Sequence, residues 1–431
     1  MLDIKFIREN PNLIKENIKK KFQNDKLPLV DKLLKLDKEW REVKVEADSL
    51  RSERNKISEE INQARKKKDD KKAKELIKRA QEIPARLKNI EEKEKSLEIE
   101  IRKIMFVLPN MISKETPAGK DASKNKEFYK SGKIPKFTFP IKTHVELAEN
   151  LDIADFNASA KVAGAGFYYL KKELAILDQA LIRFTIDFMK KKKYEYIEPP
   201  LMLNEKAIFA SMDKKTIEQS VYSIKDEDLH LIGTAEQALL ALHASQTIPE
   251  SELPKKYFSY TMCFRKETGA HGINEKGLWR THQFNKVEQF IFCKPENSIK
   301  LYDELLKNSM EILKALELPY RIIEICSGDL SDWKYRSADY EVYRPTTKEY
   351  GEVMSLSNCT DYQARKLDIK CSDKKGNKRV LHTLNNTALA TSRIMVALLE
   401  NNQQKDGSIK IPKALWKYTG FKEIKSKKAK K

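Results

Sequence analysis

Charged and aromatic side chains are concentrated in one short stretch of the chain, residues 264–284, which reads FRKETGAHGINEKGLWRTHQF. The aromatic and β-branched residues on either side of it predict a strand, a turn and a second strand. Because side chains alternate between the two faces of a strand, residues of equal parity lie together. The side chains expected to share one face are Arg265, Glu267, Arg280, His282, Phe284, Lys286 and Glu288.

Such a face could bind ATP without a glycine-rich loop. Planar guanidinium groups suit phosphate oxygens, a carboxylate accepts a hydrogen bond from an amine or ammonium, and a phenyl ring stacks on a base. The alternative is a ladder of cross-strand salt bridges on an exposed sheet, each pair contributing about 0.2–1 kcal/mol. That alternative would leave Phe284 and Trp279 on a solvated face, so we favour the binding site.

The composition indicates a large chain with an anionic partner. A length of 431 residues is enough for two domains. The net charge of +20 favours a polyanion such as nucleic acid, although solubility and a lysine-rich genome would also explain it. No apolar run approaches the roughly 20 residues that span a bilayer, and the first residues lack the apolar core of a signal peptide. We therefore expect a cytoplasmic protein without a membrane partner.

Common metal and nucleotide motifs do not explain the charged stretch. The sequence contains no Walker loop, no G-x-G-x-x-G and no H-E-x-x-H pattern. Its cysteines are odd in number and widely spaced, which argues against a disulfide framework and a structural zinc site. They are Cys263, Cys293, Cys326, Cys359 and Cys371.

The first third of the chain has a heptad pattern. Apolar residues recur in alternating steps of three and four from position 33 to 64, and again from 73 to 108, with RKKKDDKK between the two runs. Arg54 and Glu94 are the polar exceptions at these positions. This pattern predicts an antiparallel hairpin of helices, each on the order of 50 Å long at 1.5 Å per residue. Pro84 predicts a kink in the second helix. The hairpin alone fits equally well an arm that reaches a partner, a dimerisation coiled coil or a spacer.

The remaining chain is mixed in character. Residues 109–140, rich in proline and lysine, predict a linker rather than a core element. A helix is expected at 171–191 and a strand at 194–203. Paired strands are expected at 255–267 and 277–293, and a strand at 380–386 should lead into a helix at 387–403 with asparagine N-caps. Helices and strands do not alternate strictly, which favours a largely antiparallel sheet flanked by helices.

Several motifs together resemble a known family. FRKETGAHGINEKGLWRTHQFNKVEQF is similar to the motif 2 hairpin of class II aminoacyl-tRNA synthetases, in the form found in seryl-tRNA synthetases. GTAEQALLAL resembles the serine-binding T-x-E segment of that family, and EVMSLSNCTDYQARK resembles its E-[IV]-x-S-x-S-N-C-x-D-[FY]-Q-A-R block. LHTLNNTALATSRIMVALLENNQ resembles class II motif 3 and YEYIEPPLML resembles motif 1. The heptad hairpin matches the family's tRNA-binding arm, so the resemblance covers nearly the whole chain.

The resemblance implies an α+β fold and a two-step reaction. It implies an N-terminal tRNA-binding domain at 1–108 with a coiled-coil hairpin, a linker at 109–140 and a class II catalytic domain at 141–431 with an antiparallel sheet. Serine would attack the α-phosphate of ATP, and the seryl group would then pass to tRNA(Ser), and also to tRNA(Sec) where present. A homodimer formed partly through motif 1, Mg²⁺ bound with ATP and no zinc are further expectations.

The resemblance also implies roles for individual residues. The catalytic set would be Arg265, Glu288 and Arg393. The ATP-binding set would be Arg265, Lys266, Glu267, Arg280, Phe284, Glu352, Val353, Met354, Ser355 and Arg393, of which Glu352 and Ser355 would coordinate Mg²⁺. The serine-binding set would be Thr234, Ala235, Glu236, Arg265, Glu288, Asn385 and Thr387. All of these residue types stand at the motif positions in this sequence.

Each assignment has an ordinary alternative. Arg393 could be a salt-bridge partner on a helix, Glu352 a surface acid and Thr234 an N-cap.

The sequence also departs from the family pattern. At motif 3 this chain has NNTALA, so Asn386 and Ala388 replace glycines of many members. Its GAHG and C-terminal segments look closer to archaeal and eukaryotic forms than to bacterial ones. No catalytic role is assigned to His271 or His282.

Two other kinds of protein share parts of this pattern. A synthetase-like ligase that charges a carrier protein generally lacks the long arm, and this chain has the arm. A non-catalytic RNA-binding or scaffold protein with the same fold would be expected to lose residues such as Arg265, Glu288 or Arg393, and all three are present.

Overall fold

A computed structural model describes residues 1–267 and 276–425, apart from the side chains of Lys214 and Lys215. The helices are α1 (Ile4–Glu9), α2 (Pro11–Lys20), α3 (Leu27–Lys66), α4 (Asp70–Val107), α5 (His144–Asn150), α6 (Phe156–Ala163), α7 (Lys172–Lys191), α8 (Glu205–Ser211), α9 (Lys214–Ser220), α10 (Ala235–Ala241), α11 (Ser298–Ala315), α12 (Tyr362–Lys366), α13 (Thr391–Asn402) and α14 (Trp416–Thr419).

The strands follow in the same order along the chain. They are β1 (Lys126–Ser131), β2 (Ala154–Asp155), β3 (Tyr169–Leu170), β4 (Glu195–Tyr196), β5 (Met202–Leu203), β6 (His230–Leu231), β7 (Thr247–Pro249), β8 (Lys255–Phe264), β9 (Gln283–Cys293), β10 (Tyr320–Glu324), β11 (Arg336–Arg344), β12 (Glu349–Thr360), β13 (Lys370–Ser372), β14 (Lys378–Val380), β15 (His382–Ala390), β16 (Ile409–Lys410) and β17 (Glu423–Ile424).

The chain forms two compact units. One comprises residues 2–19 and 23–109, and the other comprises residues 1, 20–22 and 110–431. The first unit contains the two long helices, and the second contains the main sheet and the helices around it.

The first unit confirms the coiled-coil arm. Helix α3 has 40 residues and α4 has 38, and the seam between them buries apolar side chains of both. Asp69 caps α4 by accepting a hydrogen bond from the Lys72 amide. The polar seam residue Glu94 lies 3.5 Å from Arg51, so opposite charges meet where the heptad pattern is interrupted. Pro84 lies inside α4 without ending it; the kink stays a prediction.

The second unit is built on an eight-stranded sheet with the order β1-β10-β11-β12-β15-β9-β8-β4. Neighbouring strands are antiparallel except β4 and β8, which are parallel. Val287 and Ile291 of β9 point into the main core, which also includes apolar residues of α7, α11 and α13. Residues of the opposite parity on β9 point to the other face. The predicted mixture of helices with an antiparallel sheet is therefore confirmed.

Local predictions around this sheet needed correction. The expected linker contains β1, an edge strand with mainly exposed side chains, which leaves no apolar alternation to reveal it. The expected strand 194–203 is divided into β4 and β5, which belong to different sheets, because its prolines interrupt the pairing.

The asparagine N-caps were a wrong prediction. Asn385 and Asn386 lie inside β15, where β12 and β9 pair on both sides. The strand continues to Ala390, and α13 begins at Thr391 without a side-chain cap. Pairing with two neighbouring strands thus outweighs the capping tendency of asparagine.

The charged stretch lies partly outside the described residues. Strands β8 and β9 pair as predicted, with Cys263 opposite Phe284 and Ser259 opposite Glu288. Both strands are shorter than predicted, since β8 ends at Phe264 and β9 begins at Gln283. Residues 268–275, which include His271 and most of the predicted turn, fall outside the part of the chain that the structure describes.

Candidate active site

A cavity of about 400 Å³ is lined by side chains from one face of the sheet, on β9, β12 and β15. Its lining includes most of the predicted site residues. Those residues are Thr234, Glu236, Arg265, Glu267, Arg280, Phe284, Glu288, Glu352, Val353, Met354, Ser355, Asn385, Thr387 and Arg393. The structure thus gathers residues that are up to 159 positions apart in the sequence, from 234 to 393, around one space.

Two predicted residues do not line the cavity. Ala235 is fully buried as the first residue of α10. Lys266 donates its backbone amide to the Ser220 carbonyl, and its ammonium lies 5.9 Å from the centre of the Tyr222 ring. Their neighbours Thr234 and Arg265 provide the side chains that reach the cavity.

A buried ion pair forms one end of the cavity. The Lys286 ammonium lies 2.6 Å from the Glu288 carboxylate, and both side chains are more than nine-tenths buried. The same ammonium donates to the Thr234 hydroxyl at 2.6 Å. The Thr387 hydroxyl donates to Glu288 at 3.4 Å. This end therefore offers fixed polar groups away from water, which suits a small ligand with an ammonium and a hydroxyl.

Glu236 lies beside that ion pair. Its Oε1 atom accepts hydrogen bonds from Gln363 at 2.7 Å and Asn385 at 3.0 Å. Burial and the neighbouring Glu288 carboxylate raise the pKa of Glu236 to about 6. Two carboxylates close together disfavour double ionisation, so a bound cation would be stabilised here.

Thr234 is an N-cap whose hydroxyl also lines the cavity. It caps α10, since its hydroxyl accepts from the Glu236 amide at 3.3 Å. The cap fixes the hydroxyl at the helix start, and from there it also receives the hydrogen bond from Lys286. The ordinary interpretation of Thr234 as an N-cap is correct without excluding a binding role.

Phe284, whose ring was predicted to stack on a base, lies next to this end of the cavity. The Arg265 guanidinium is 5.3 Å from the centre of the Phe284 ring, and its Nε donates to the Gly233 carbonyl at 3.1 Å. Glu267 has a positive φ of 51° and pairs with Arg280 at 3.0 Å. The predicted cross-strand ion pair therefore exists, but it lies in the cavity wall rather than on an exposed sheet.

His282 supports this region as a hydrogen-bonding residue. Its Nδ1 atom lies 3.0 Å from the Tyr222 hydroxyl and 3.0 Å from the Arg265 carbonyl oxygen. These contacts hold the backbone that carries the Arg265 side chain.

Arg393 and Glu352 meet at the other side of the cavity. Nη1 of Arg393 donates to the Glu352 carbonyl oxygen at 2.8 Å and to its carboxylate at 3.1 Å. The Glu352 side chain is 46% exposed. Desolvation of its carboxylate would raise the pKa, but the charge and hydrogen bond of Arg393, with the charges of Arg265 and Lys334, outweigh that effect and lower the pKa of Glu352. Glu352 is therefore held as a carboxylate within reach of a ligand.

Glu352 and Ser355 are suited to a hard cation. Carboxylate and hydroxyl oxygens are the donors that Mg²⁺ prefers. Nearby, burial and the Glu352 charge raise the pKa of Asp339 to about 7, and its Oδ1 is buried without a hydrogen-bond partner. Within the described part of the chain, no group of three His, Cys, Asp or Glu side chains is arranged to hold a metal. A cation here would take its remaining ligands from phosphate or water.

Other cavity residues escaped the sequence-based assignment. Strand parity placed Lys286 on the same face as Glu288, but no role was assigned to it. Lys334 donates to Ser355 at 3.4 Å and Trp279 lies beside Arg393, but neither position has a spacing signal. Gln363 is fully buried behind Glu236, and only the fold reveals it.

Each helix of the described ranges is too short or too polar to span a membrane.

Comparisons with known proteins cover both units. Residues 1–112 match the seryl-tRNA synthetase N-terminal domain, and residues 219–402 match the tRNA synthetase class II core domain (G, H, P, S and T). A serine--tRNA ligase of Methanospirillum hungatei is 43% identical over 426 residues, which cover 98% of this chain and 100% of the relative.

Solved structures agree with these matches. The seryl-tRNA synthetase of Pyrococcus horikoshii, crystallised with ATP, superposes with a TM-score of 0.91 at 42% identity and covers 98% of this chain and 99% of its own. The cytoplasmic serine-tRNA ligase of Naegleria fowleri in complex with AMP gives a TM-score of 0.87 at 31% identity, with 99% of each chain covered.

Proposed function

The chain belongs to the seryl-tRNA synthetase family, and from this premise we propose how its cavity carries out the reaction. The chain is a serine--tRNA ligase: it activates serine with ATP and charges tRNA with it.

The serine site is proposed at the Lys286–Glu288 end. Glu236 and Thr234 would bind the substrate ammonium, and Glu288 and Thr387 its hydroxyl, with Asn385 holding Glu236. Lys286 and Arg265 offset the two carboxylates, so the site matches a zwitterion with one hydroxyl. An analogue that lacks the hydroxyl would leave buried polar groups unpaired, which gives strong discrimination against alanine.

The ATP site is proposed between Phe284 and Arg393. Adenine would stack on Phe284, and Glu267 would accept from its amine while Arg280 turns to the outer phosphates. The Glu267–Arg280 ion pair would thus be exchanged for two contacts with ATP.

Arg265 is proposed to bring the reacting groups together. It lies over Phe284 and beside the serine end, where it can contact the α-phosphate and the serine carboxylate. Attack of a carboxylate oxygen on the α-phosphorus forms the seryl-adenylate and releases pyrophosphate. Both reactants are anions, so fixed guanidinium charge lowers the barrier.

Glu352 and Ser355 are proposed to hold Mg²⁺ when ATP is bound. The ion would neutralise phosphate charge. Arg393 would then contact the outer phosphates and Glu352 together.

The two parts of the chain are proposed to have separate roles. Residues 1–108 would bind tRNA(Ser), and tRNA(Sec) where present, through the arm, while residues 141–431 would catalyse the reaction. The described surface around motif 1 carries exposed Tyr196, Leu201 and Met202, which supports a homodimer through this segment. The site of action would be the cytoplasm, where translation takes place.

One observation carries the catalytic proposal: the buried Lys286–Glu288 pair adjoins Arg265 and Phe284 in one cavity. The test is exchange of labelled pyrophosphate into ATP by the purified chain. We expect exchange with serine, none with alanine, and loss of exchange in Glu288→Gln. Glu304→Gln, which alters an ion pair with Lys256 outside the cavity, is the matched control. Exchange that is equal with and without serine would contradict the proposal.

A further inference from the structure

Trp279 occupies a confined position beside the ATP end of the cavity. The centre of its indole lies 4.3 Å from the Arg344 guanidinium and 5.5 Å from that of Arg393. Gly351 lies so close that an added Cβ atom would be 2.3 Å from Cζ2 of the indole. Trp279 therefore lies beside two guanidinium groups.

The backbone of the Trp279 segment is held by a buried histidine. Nε2 of His144 accepts from the Leu278 amide at 3.2 Å, and Nδ1 lies 3.0 Å from Glu400. A Cβ atom on Gly277 would be 2.4 Å from the same Nε2, so the contact requires glycine there. Glu400 also accepts from Arg344 at 3.3 Å. The Glu400 carboxylate therefore positions two groups: the Leu278 backbone, through His144, and the Arg344 guanidinium.

Arg393 depends on this segment for its orientation. Its Nε donates to the Trp279 carbonyl oxygen at 3.2 Å, while Nη1 contacts Glu352. The indole face adds a cation–π contact. Three contacts from two elements therefore set the plane of a guanidinium, and a fixed plane is what bidentate phosphate binding requires.

We propose that Trp279 is a positioning residue, which holds the Arg393 guanidinium in the orientation that binds the outer phosphates of ATP. The inference rests on the proposed role of Arg393. Trp279 itself need not contact ATP; the His144–Glu400 pair and Gly351 fix the indole, and the indole and its carbonyl fix Arg393.

The test is calorimetric titration of the full chain with ATP in magnesium buffer, and separately with serine. For Trp279→Leu we expect the Kd for ATP to rise about tenfold, on the order expected for a lost cation–π contact, with the Kd for serine unchanged. Trp279→Phe should recover most of the ATP affinity because it keeps an aromatic face. Trp416→Leu is the matched control, since Trp416 also has a cation over its ring, Lys422 at 4.7 Å, but lies outside the cavity.

A second variant approaches the indole from the other side. Gly351→Ala would displace Trp279 without removing it, and it should reproduce the ATP-selective loss. An equal loss of ATP and serine binding in both variants, or unchanged ATP affinity in either, would overturn the inference.

Arg393→Ala separates this inference from the proposed function. If Arg393→Ala binds ATP normally, the proposed role of Arg393 fails. If Arg393→Ala binds ATP weakly while Trp279→Leu binds it normally, only the positioning role fails.

Discussion

The residues of the cavity are positioned in two ways: some by the alternation of side chains along a strand, others by contacts between segments that are distant in the sequence. Glu288 and Phe284 could be assigned from sequence because strand alternation places them on one face. Alternation also placed Glu267 on this face, but Glu267 lies beyond the end of β8 and adopts a positive φ, so alternation is not what positions it. Gln363 and Trp279 depend on contacts between segments far apart in sequence, and no local pattern predicts such contacts.

The raised pKa of Glu236 predicts a pH dependence of serine binding. Below its pKa of about 6 the carboxyl is protonated and no longer attracts an ammonium. The KM for serine should therefore rise as the pH falls from 7 to 5, while the KM for ATP changes little. Steady-state pyrophosphate exchange at a series of pH values measures both, and a flat serine profile would contradict the assignment.

The raised pKa of Glu236 also affects the free energy of unfolding. Serine binding should strengthen as the pH rises, whereas this contribution to stability should decrease. A carboxyl whose folded pKa lies above its ordinary value of 4.5 binds a proton more tightly when folded. Its contribution to stability is present below pH 4.5 and is lost as the pH rises through about 6. Glu236→Gln should remove this component from the pH dependence of urea unfolding.

Lys286→Met should be strongly destabilising. It leaves the buried Glu288 carboxylate without its cation, and breaking a buried pair typically costs about 3–5 kcal/mol. Urea denaturation at pH 7 would measure this loss. The control is Lys256→Met, whose more exposed pair with Glu304 should contribute less than about 1 kcal/mol. Equal losses in the two variants would contradict the special role of burial.

At the scale of elements, heptad periodicity predicted the arm, and aromatic and β-branched residues predicted the β8–β9 pair. Strand β1 could not be predicted, because its KEFYKS sequence is almost entirely exposed and has no apolar face. The extension of β15 past its asparagines depends on β9 and β12, whose residues are distant in the sequence.

Removal of the arm should separate the two steps of the reaction. The cavity residues all belong to the second compact unit, whereas α3 and α4 belong to the first. A chain in which a short glycine-serine linker replaces residues 30–104 should keep serine-dependent pyrophosphate exchange and lose aminoacylation of tRNA(Ser). Parallel loss of both activities would contradict this division.

At the scale of the whole molecule, a second copy is the expected partner of the exposed motif 1 segment. Met202→Glu places a charge on an apolar side chain that is 45% exposed, and sedimentation should then report half the mass of the unmodified protein. Ile299→Glu, at a 70% exposed position elsewhere, should leave the mass unchanged. An unmodified chain that sediments as a monomer would refute the proposed dimer.

The positions of the four tryptophans would also allow ligand binding to be followed by intrinsic fluorescence. Trp279 and Trp333 line the cavity, and Trp40 lies in α3 of the arm. Indole emission responds to nearby charge, so ATP arriving beside Trp279 and RNA arriving beside Trp40 would alter different emitters. With single-tryptophan variants, the order in which nucleotide and tRNA engage the enzyme becomes measurable by stopped-flow fluorescence, without any attached dye.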